Sequence, residues 1–162
     1  MDAETNKLTK LNVPLIKTYQ QNRYPLLFLD EVTEVVPGKY AKAVKNFTYD
    51  EWFFPAHFED EPSVPGFIQM EVLAQTFIMT FLSFPEHKGK KTAFVKADNV
   101  MFKRQIVPGD RLEITATLNS FRHGIARGHV ESYVDEEVAC TAEFIIALPD
   151  IVKALSPKKS AV

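Results

Sequence analysis

The chain of 162 residues carries 19 Lys and Arg against 21 Asp and Glu, for a net charge of −2, and 46% of it is hydrophobic. That balance gives no basic footprint for nucleic acid. The single cysteine, Cys140, rules out an intramolecular disulfide, and no Cys/His spacing suits zinc, so neither a bridge nor a metal is expected. The length fits one domain that buries its own core without staples. Met1 to Lys10 is polar and lacks the apolar segment of a secretory signal. The longest apolar stretch, Phe67 to Phe84, is interrupted by Gln69, Glu71, Gln75, Thr76 and Thr80, which reads as a buried helix and not a membrane span. A soluble, cytoplasmic domain is expected.

In chain order, residues 1–12 read as a flexible polar segment, 13–150 as one domain, and 151–162 as a polar tail ending near Ser156-Pro157-Lys158-Lys159. Leu26 to Val36 is an apolar run closed by the turn Pro37-Gly38, and Lys39 to Tyr49 reads as a strand. Glu51 to Pro65, broken by Pro55 and Pro62, is a structured loop. A helix then runs from about Phe67 to Ser83, stopped by Pro85, with apolar residues on nearly every face. Thr92 to Lys103 reads as one or two strands, followed by the turn Pro108-Gly109. Leu112, Ile114, Ala116 and Leu118 alternate with polar neighbours, as do Cys140, Ala142, Phe144 and Ile146. Ile125 to Val134 is a further strand, and Asp135-Glu136 a hairpin tip. One apolar helix and many antiparallel strands imply an α+β sheet wrapped around the helix.

Glu71 lies in the second turn of that helix. A carboxylate in an apolar setting is costly to desolvate, which favours its protonated form and suits it to giving up a proton near neutral pH. Gln75 sits four residues on, on the same face, where its amide can orient the carboxyl. The competing reading is a solvated Glu on a narrow polar stripe. His57 stands in an aromatic loop with Phe53, Phe54 and Phe58, where a neutral imidazole can act as a base; taken alone, it reads more readily as a satisfied structural histidine. Gly66 opens the helix, and its N–H is a first-turn donor without an intrahelical partner, able to hold an oxygen that gains charge. An ordinary Pro-Gly turn is the alternative. His87, in a charged loop, reads as solvated, and His123 and His129 as surface residues. Lys103, Arg104 and Arg111 are open to contact with an acidic partner or simply to solvent.

The segment from His57 through Pro65-Gly66 to Glu71-Val72-Leu73-Ala74-Gln75 resembles the active-site segment of the 3-hydroxyacyl-acyl-carrier-protein dehydratases, the FabZ/FabA group, and is closest to the FabZ type. Asn22-Arg23-Tyr24-Pro25-Leu26-Leu27-Phe28-Leu29-Asp30, Pro37-Gly38, Lys45-Asn46, Phe53-Phe54, Phe102-Lys103-Arg104 and Val107-Pro108-Gly109-Asp110 agree with it in order, so the resemblance covers about residues 15–147.

The resemblance implies a hot-dog fold and a homodimer whose active sites are shared, with assembly into hexamers left open. It implies that His57 takes a proton from C2 of an acyl thioester, that Glu71 protonates the departing 3-hydroxyl, and that the Gly66 N–H holds the thioester carbonyl, with Gln75 in support and no cofactor. Acyl carrier protein or coenzyme A would carry the substrate, with Lys103 and Arg104 as carrier contacts. Two alternatives are a hydratase of coenzyme A thioesters and a non-catalytic acyl-binding or scaffold subunit. Ala56 and Glu59-Asp60 stand where the family usually has Gly and Pro-Gly. Thr76, Phe77, Ile78 and Met79 replace small residues, which predicts a shortened acyl tunnel.

Overall fold

A computed structural model describes residues 7–155. The strands β1 (Leu8–Asn12), β2 (Glu31–Val36), β3 (Tyr40–Asn46), β4 (Ala93–Phe102), β5 (Arg111–Arg122), β6 (Ile125–Val134) and β7 (Glu137–Ala147) form one antiparallel sheet in the order β1-β2-β3-β5-β6-β7-β4. The helices are α1 (Val13–Tyr19), α2 (Gly66–Leu82) and α3 (Pro149–Leu155), with a short 3₁₀ turn at Phe54–Ala56. This is the α+β hot-dog arrangement: α2 packs against β2, β3, β5, β6 and β7, and the sheet curls around it.

The 17 residues of α2 span roughly 26 Å, the width of a small domain. From Val72 to Leu82 every residue is buried, which explains a helix apolar on almost all faces. The alternating residues of β5 and β7 supply the other half of the core: Leu112, Ile114, Ala116, Cys140, Ala142, Phe144 and Ile146 all lie inside. At the point of closest approach β6 carries Gly128. A Cβ there would stand 2.2 Å from the Thr117 carbonyl oxygen and 2.4 Å from the Phe77 ring, so only glycine lets α2 settle on the sheet. At the other end of α2 the Gly38 N–H donates to the Thr80 carbonyl, 2.7 Å away, tying the Pro37-Gly38 turn to the helix.

Several expectations need correction. Leu8–Asn12 is not loose: it pairs with β2, with Leu8 opposite Val35 and Leu11 opposite Val32, and Leu11 joins the core. Helix α1 was not legible, because only Ile16 of its residues is buried and no amphipathic stripe develops. Its start is fixed by Asn12, whose Oδ1 accepts the Leu15 N–H, followed by a proline in the first turn. The chain beyond residue 150 continues in α3, where Ile151 packs back on the core beside Gly124. The expected tail at Ser156-Pro157-Lys158-Lys159 lies outside the described residues. His87 is buried, not solvated: its Nδ1 meets the Phe81 carbonyl oxygen at 2.9 Å and its ring contacts Phe84 and Phe121. Among the described residues no helix is long and apolar enough to cross a membrane.

Candidate active site

His57 is held by the loop that follows it. Its C=O accepts the Ser63 N–H at 2.8 Å, and a tight turn between closes with Phe58 N–H to Glu61 C=O at 3.3 Å. The imidazole Nδ1 lies 3.1 Å from the Ser63 carbonyl oxygen. A carbonyl only accepts, so Nδ1 carries the proton and Nε2 keeps a free lone pair. The half-buried ring also stacks on Phe58 at 4.5 Å. Ala56 has no positive φ, so its Cβ creates no strain before the histidine. Phe53 and Phe54 anchor the loop in the core, edge-on to each other at 4.9 Å.

Gly66 is the first residue of α2, after Pro65, which provides no side-chain cap. The Ile68 and Gln69 N–H groups already donate to the Pro65 carbonyl. The Gly66 N–H is a first-turn donor without an intrahelical partner, at the positive end of the helix dipole. The Phe102 ring lies against the Gly66 Cα, where a Cβ would come within 2.9 Å of it. Gln69 Nε2 donates to the Val64 carbonyl at 3.1 Å, and Val64 N–H to Ile106 C=O at 2.8 Å, so the peptide chain leading into Gly66 is fixed from both sides.

Glu71 projects into a cleft of about 180 Å³ lined by Asn22, Ala74, Gln75, Ile78, Thr92, Phe94 and Ile146. Gln75 Nε2 donates to Glu71 Oε1 at 2.8 Å and to the Leu26 carbonyl at 2.5 Å. Gln75 Oε1 accepts the Phe28 N–H at 2.9 Å. One side chain therefore holds the carboxyl and the Leu26–Phe28 segment together. Asn22 Nδ2 also reaches Glu71 Oε1, at 3.1 Å. Of the bulky residues expected to shorten an acyl tunnel, only Ile78 lines this cleft. Phe77 packs on Phe81 and Phe144, Met79 lies in the core, and Thr76 bonds back to the Val72 carbonyl. Of the four, Ile78 alone borders the Glu71 cleft, and Phe77 lies against the sheet at Gly128.

Within one chain no hydrogen bond or ring contact among the described residues joins His57 to Glu71, and the Glu71 cleft does not include His57. Arg104 is already engaged: it donates to the Val134 carbonyl at 3.1 Å and pairs with Asp110 at 3.6 Å and Glu137 at 3.8 Å, clasping the β6–β7 hairpin. Lys103 is exposed and helps lower the Glu131 carboxyl, whose main stabilising contacts are the Tyr133 hydroxyl and then His129. His129 is thereby occupied on the surface, with its Nε2 2.8 Å from Glu131 Oε1. The contributions of Asn22 and Ser63 were missed from sequence. Asn22 was visible only as one letter of a matching stretch, and nothing in a polar loop announces that Ser63 C=O meets the histidine.

Comparison with known proteins identifies the family. The FabA-like domain matches residues 21–143. The chain is 39% identical over 138 residues to the 3-hydroxyacyl-[acyl-carrier-protein] dehydratase FabZ of Clostridioides difficile (strain 630), covering 85% of this chain and 97% of that protein. It is 40% identical over 140 residues to the dehydratase of the same name from Bacillus cereus (strain AH820), covering 86% and 97%. Among solved structures, the dehydratase heterocomplex ApeI:P from Xenorhabdus doucetiae matches with a TM-score of 0.72 at 14% identity, over 88% of this chain and 97% of that one. The PaaI protein from the phenylacetic acid degradation operon of E. coli matches with a TM-score of 0.55 at 12% identity, over 68% and 77%. Fold and sequence together place the chain in the FabA-like family.

Proposed function

We propose that this protein is a (3R)-hydroxyacyl-[acyl-carrier-protein] dehydratase that removes water from a 3-hydroxyacyl thioester to give a trans-2-enoyl thioester, in fatty-acid or polyketide-like synthesis. The observation that carries the reading is the pairing of a correctly tautomerised base with an oriented carboxyl: His57 keeps Nε2 free because Nδ1 is bound to the Ser63 carbonyl, and Gln75 holds Glu71 toward the cleft. Nε2 of His57 removes the C2 proton. The thioester oxygen, gaining charge, is held by the Gly66 N–H. Glu71 gives its proton to the 3-hydroxyl, and the C3–O bond breaks to release water.

The working unit is a homodimer. Among the described residues strand β4 ends the sheet with one side unpaired, and Phe94, Val95, Met101 and Phe102 stand about half exposed along it. A long, apolar sheet edge invites a second copy. Pairing there brings another protomer against the Glu71 cleft, whose wall includes Phe94, and against Phe102 over Gly66. His57 of one protomer then serves Glu71 of the other. Lys103, exposed at the end of β4 and anchored beside Arg104, supplies a positive contact for an acidic carrier protein. The protein acts in the cytoplasm.

The test is turnover of 3-hydroxyacyl and trans-2-enoyl thioesters on acyl carrier protein and on coenzyme A. Faster turnover on the carrier protein is expected. Faster turnover on coenzyme A would make it a hydratase of free thioesters, and no turnover on either would leave an acyl-binding subunit.

A further inference from the structure

Glu71 has two donors, and both choose one oxygen. Asn22 Nδ2 lies 3.1 Å from Oε1, the atom that Gln75 Nε2 meets at 2.8 Å, while Oε2 accepts no hydrogen bond among the described residues. An oxygen receiving two N–H groups has its lone pairs committed, so the hydrogen of the neutral acid sits on the other oxygen. Gln75 alone would not fix this. The terminal torsion of a glutamate is broad, and a single hydrogen bond lets the carboxyl plane turn about it. A second donor, from a different part of the chain, sets the plane.

The segment presenting Asn22 is built to stay in place. Arg23 Nη1 donates to the Gln20 and Asn22 carbonyls, both at 2.7 Å, and Nη2 to the Lys17 carbonyl at 3.0 Å. Gln20, fully buried, donates through Nε2 to the Gln75 carbonyl at 2.7 Å. The stretch from Gln20 to Phe28 is therefore stitched to α2 at Gln75, one turn beyond Glu71.

We propose that Asn22 is a positioning residue for dehydration, fixing Glu71 so that Oε2 is the oxygen that donates the proton. In that step the Oε2–H bond breaks and its proton goes to the 3-hydroxyl oxygen. The C3–O bond breaks, its electron pair leaving with water, and the electrons of the C2–H bond become the C2–C3 π bond as His57 takes the proton. The inference rests on the dehydratase reading and adds which oxygen acts and what holds it.

The test is Asn22→Leu, which keeps the bulk and removes the donor, with Asn22→Ala as a second variant. Both should lower kcat about tenfold while KM stays within about twofold and the melting temperature is little changed. In a Glu71→Gln background Asn22→Leu should cost almost nothing more, because the two residues act as one unit. The side-chain amide signal of Asn22 in a ¹H–¹⁵N spectrum should move in Glu71→Ala. Unchanged kcat in both variants, a full additional loss in the Glu71→Gln background, or an Asn22 signal that ignores Glu71→Ala would each overturn the proposal. Absence of any wild-type turnover would instead reject the dehydratase reading, and the amide signal would still decide whether Asn22 holds Glu71.

Discussion

His57 and Ser63 hold each other through both main chains: the Ser63 N–H donates to the His57 carbonyl at 2.8 Å, and the His57 Nδ1–H donates to the Ser63 carbonyl at 3.1 Å, while the Ser63 hydroxyl adds longer contacts to Nδ1 at 3.4 Å and to the His57 carbonyl at 3.5 Å. Backbone and ring of the histidine are set by one partner. The nearest partner of the ring nitrogen is thus a main-chain carbonyl, with the Ser63 hydroxyl a longer second contact. Replacing His57 by Ala should lower turnover by at least about a hundredfold, and Glu71→Gln likewise, with unfolding midpoints close to wild type. Steady-state kinetics alongside thermal melts check this; near-normal turnover in either variant rejects its assigned role.

Gln75 should show both a kinetic and a stability defect. Gln75→Leu leaves the Phe28 N–H and the Leu26 carbonyl without their partner as well as releasing Glu71. The Phe28 N–H, buried and left unpaired, should cost about 1–3 kcal/mol of folding stability. Chemical denaturation read beside kcat separates the two effects, and a variant as stable as wild type would show that water or another group replaces the amide.

Two glycines should respond differently to alanine. At Gly128 the added Cβ meets a backbone oxygen and a core ring, neither of which can retreat, so Gly128→Ala should destabilise by about 3 kcal/mol or fail to fold. At Gly66 the added Cβ meets only the tip of Phe102, a ring about half exposed. Gly66→Ala should fold normally but turn over more slowly, and adding Phe102→Ala should recover part of the loss if crowding is the cause. Thermal melts and kinetics on the three proteins decide.

Much of this architecture could be read in advance, and the boundary of legibility has a physical origin. Strands β5 and β7 announce themselves because every second residue enters the core. Helix α2 does so through length and uniform apolarity. Helix α1 and strand β1 are carried by contacts far away in sequence, such as Leu11 opposite Val32, and their own composition is unremarkable. Within the site, the link from Gln75 to Glu71 follows from helical spacing. The links from Asn22 and Ser63 depend on where loops return, and local sequence does not encode that. His87 was misread for the same reason: its charged neighbours are outside while its ring is tucked under the end of α2.

Cys140 should behave as an inert core residue until strongly alkaline pH. Burial pushes its thiol up to about 11 from 9.0. A thiol harder to ionise in the folded than in the unfolded chain leaves stability unaffected below the unfolded value. As pH rises from about 9 toward 11 the unfolded state loses its proton first, so stability falls through that window, by about 2–3 kcal/mol in all. Denaturant titrations between pH 8 and 11 on wild type and Cys140→Ala should diverge in slope. Rapid alkylation of the native protein at neutral pH would contradict the burial.

The proposed sharing of His57 and Glu71 between two chains has a genetic corollary. In the proposed shared-site dimer, a chain lacking the imidazole and a chain lacking the carboxyl would each be inactive alone, and a mixed pair would hold one intact base–acid couple. Random mixing of His57→Ala and Glu71→Gln chains should then return about a quarter of the native rate, since half the pairs are mixed and each has one good centre of two.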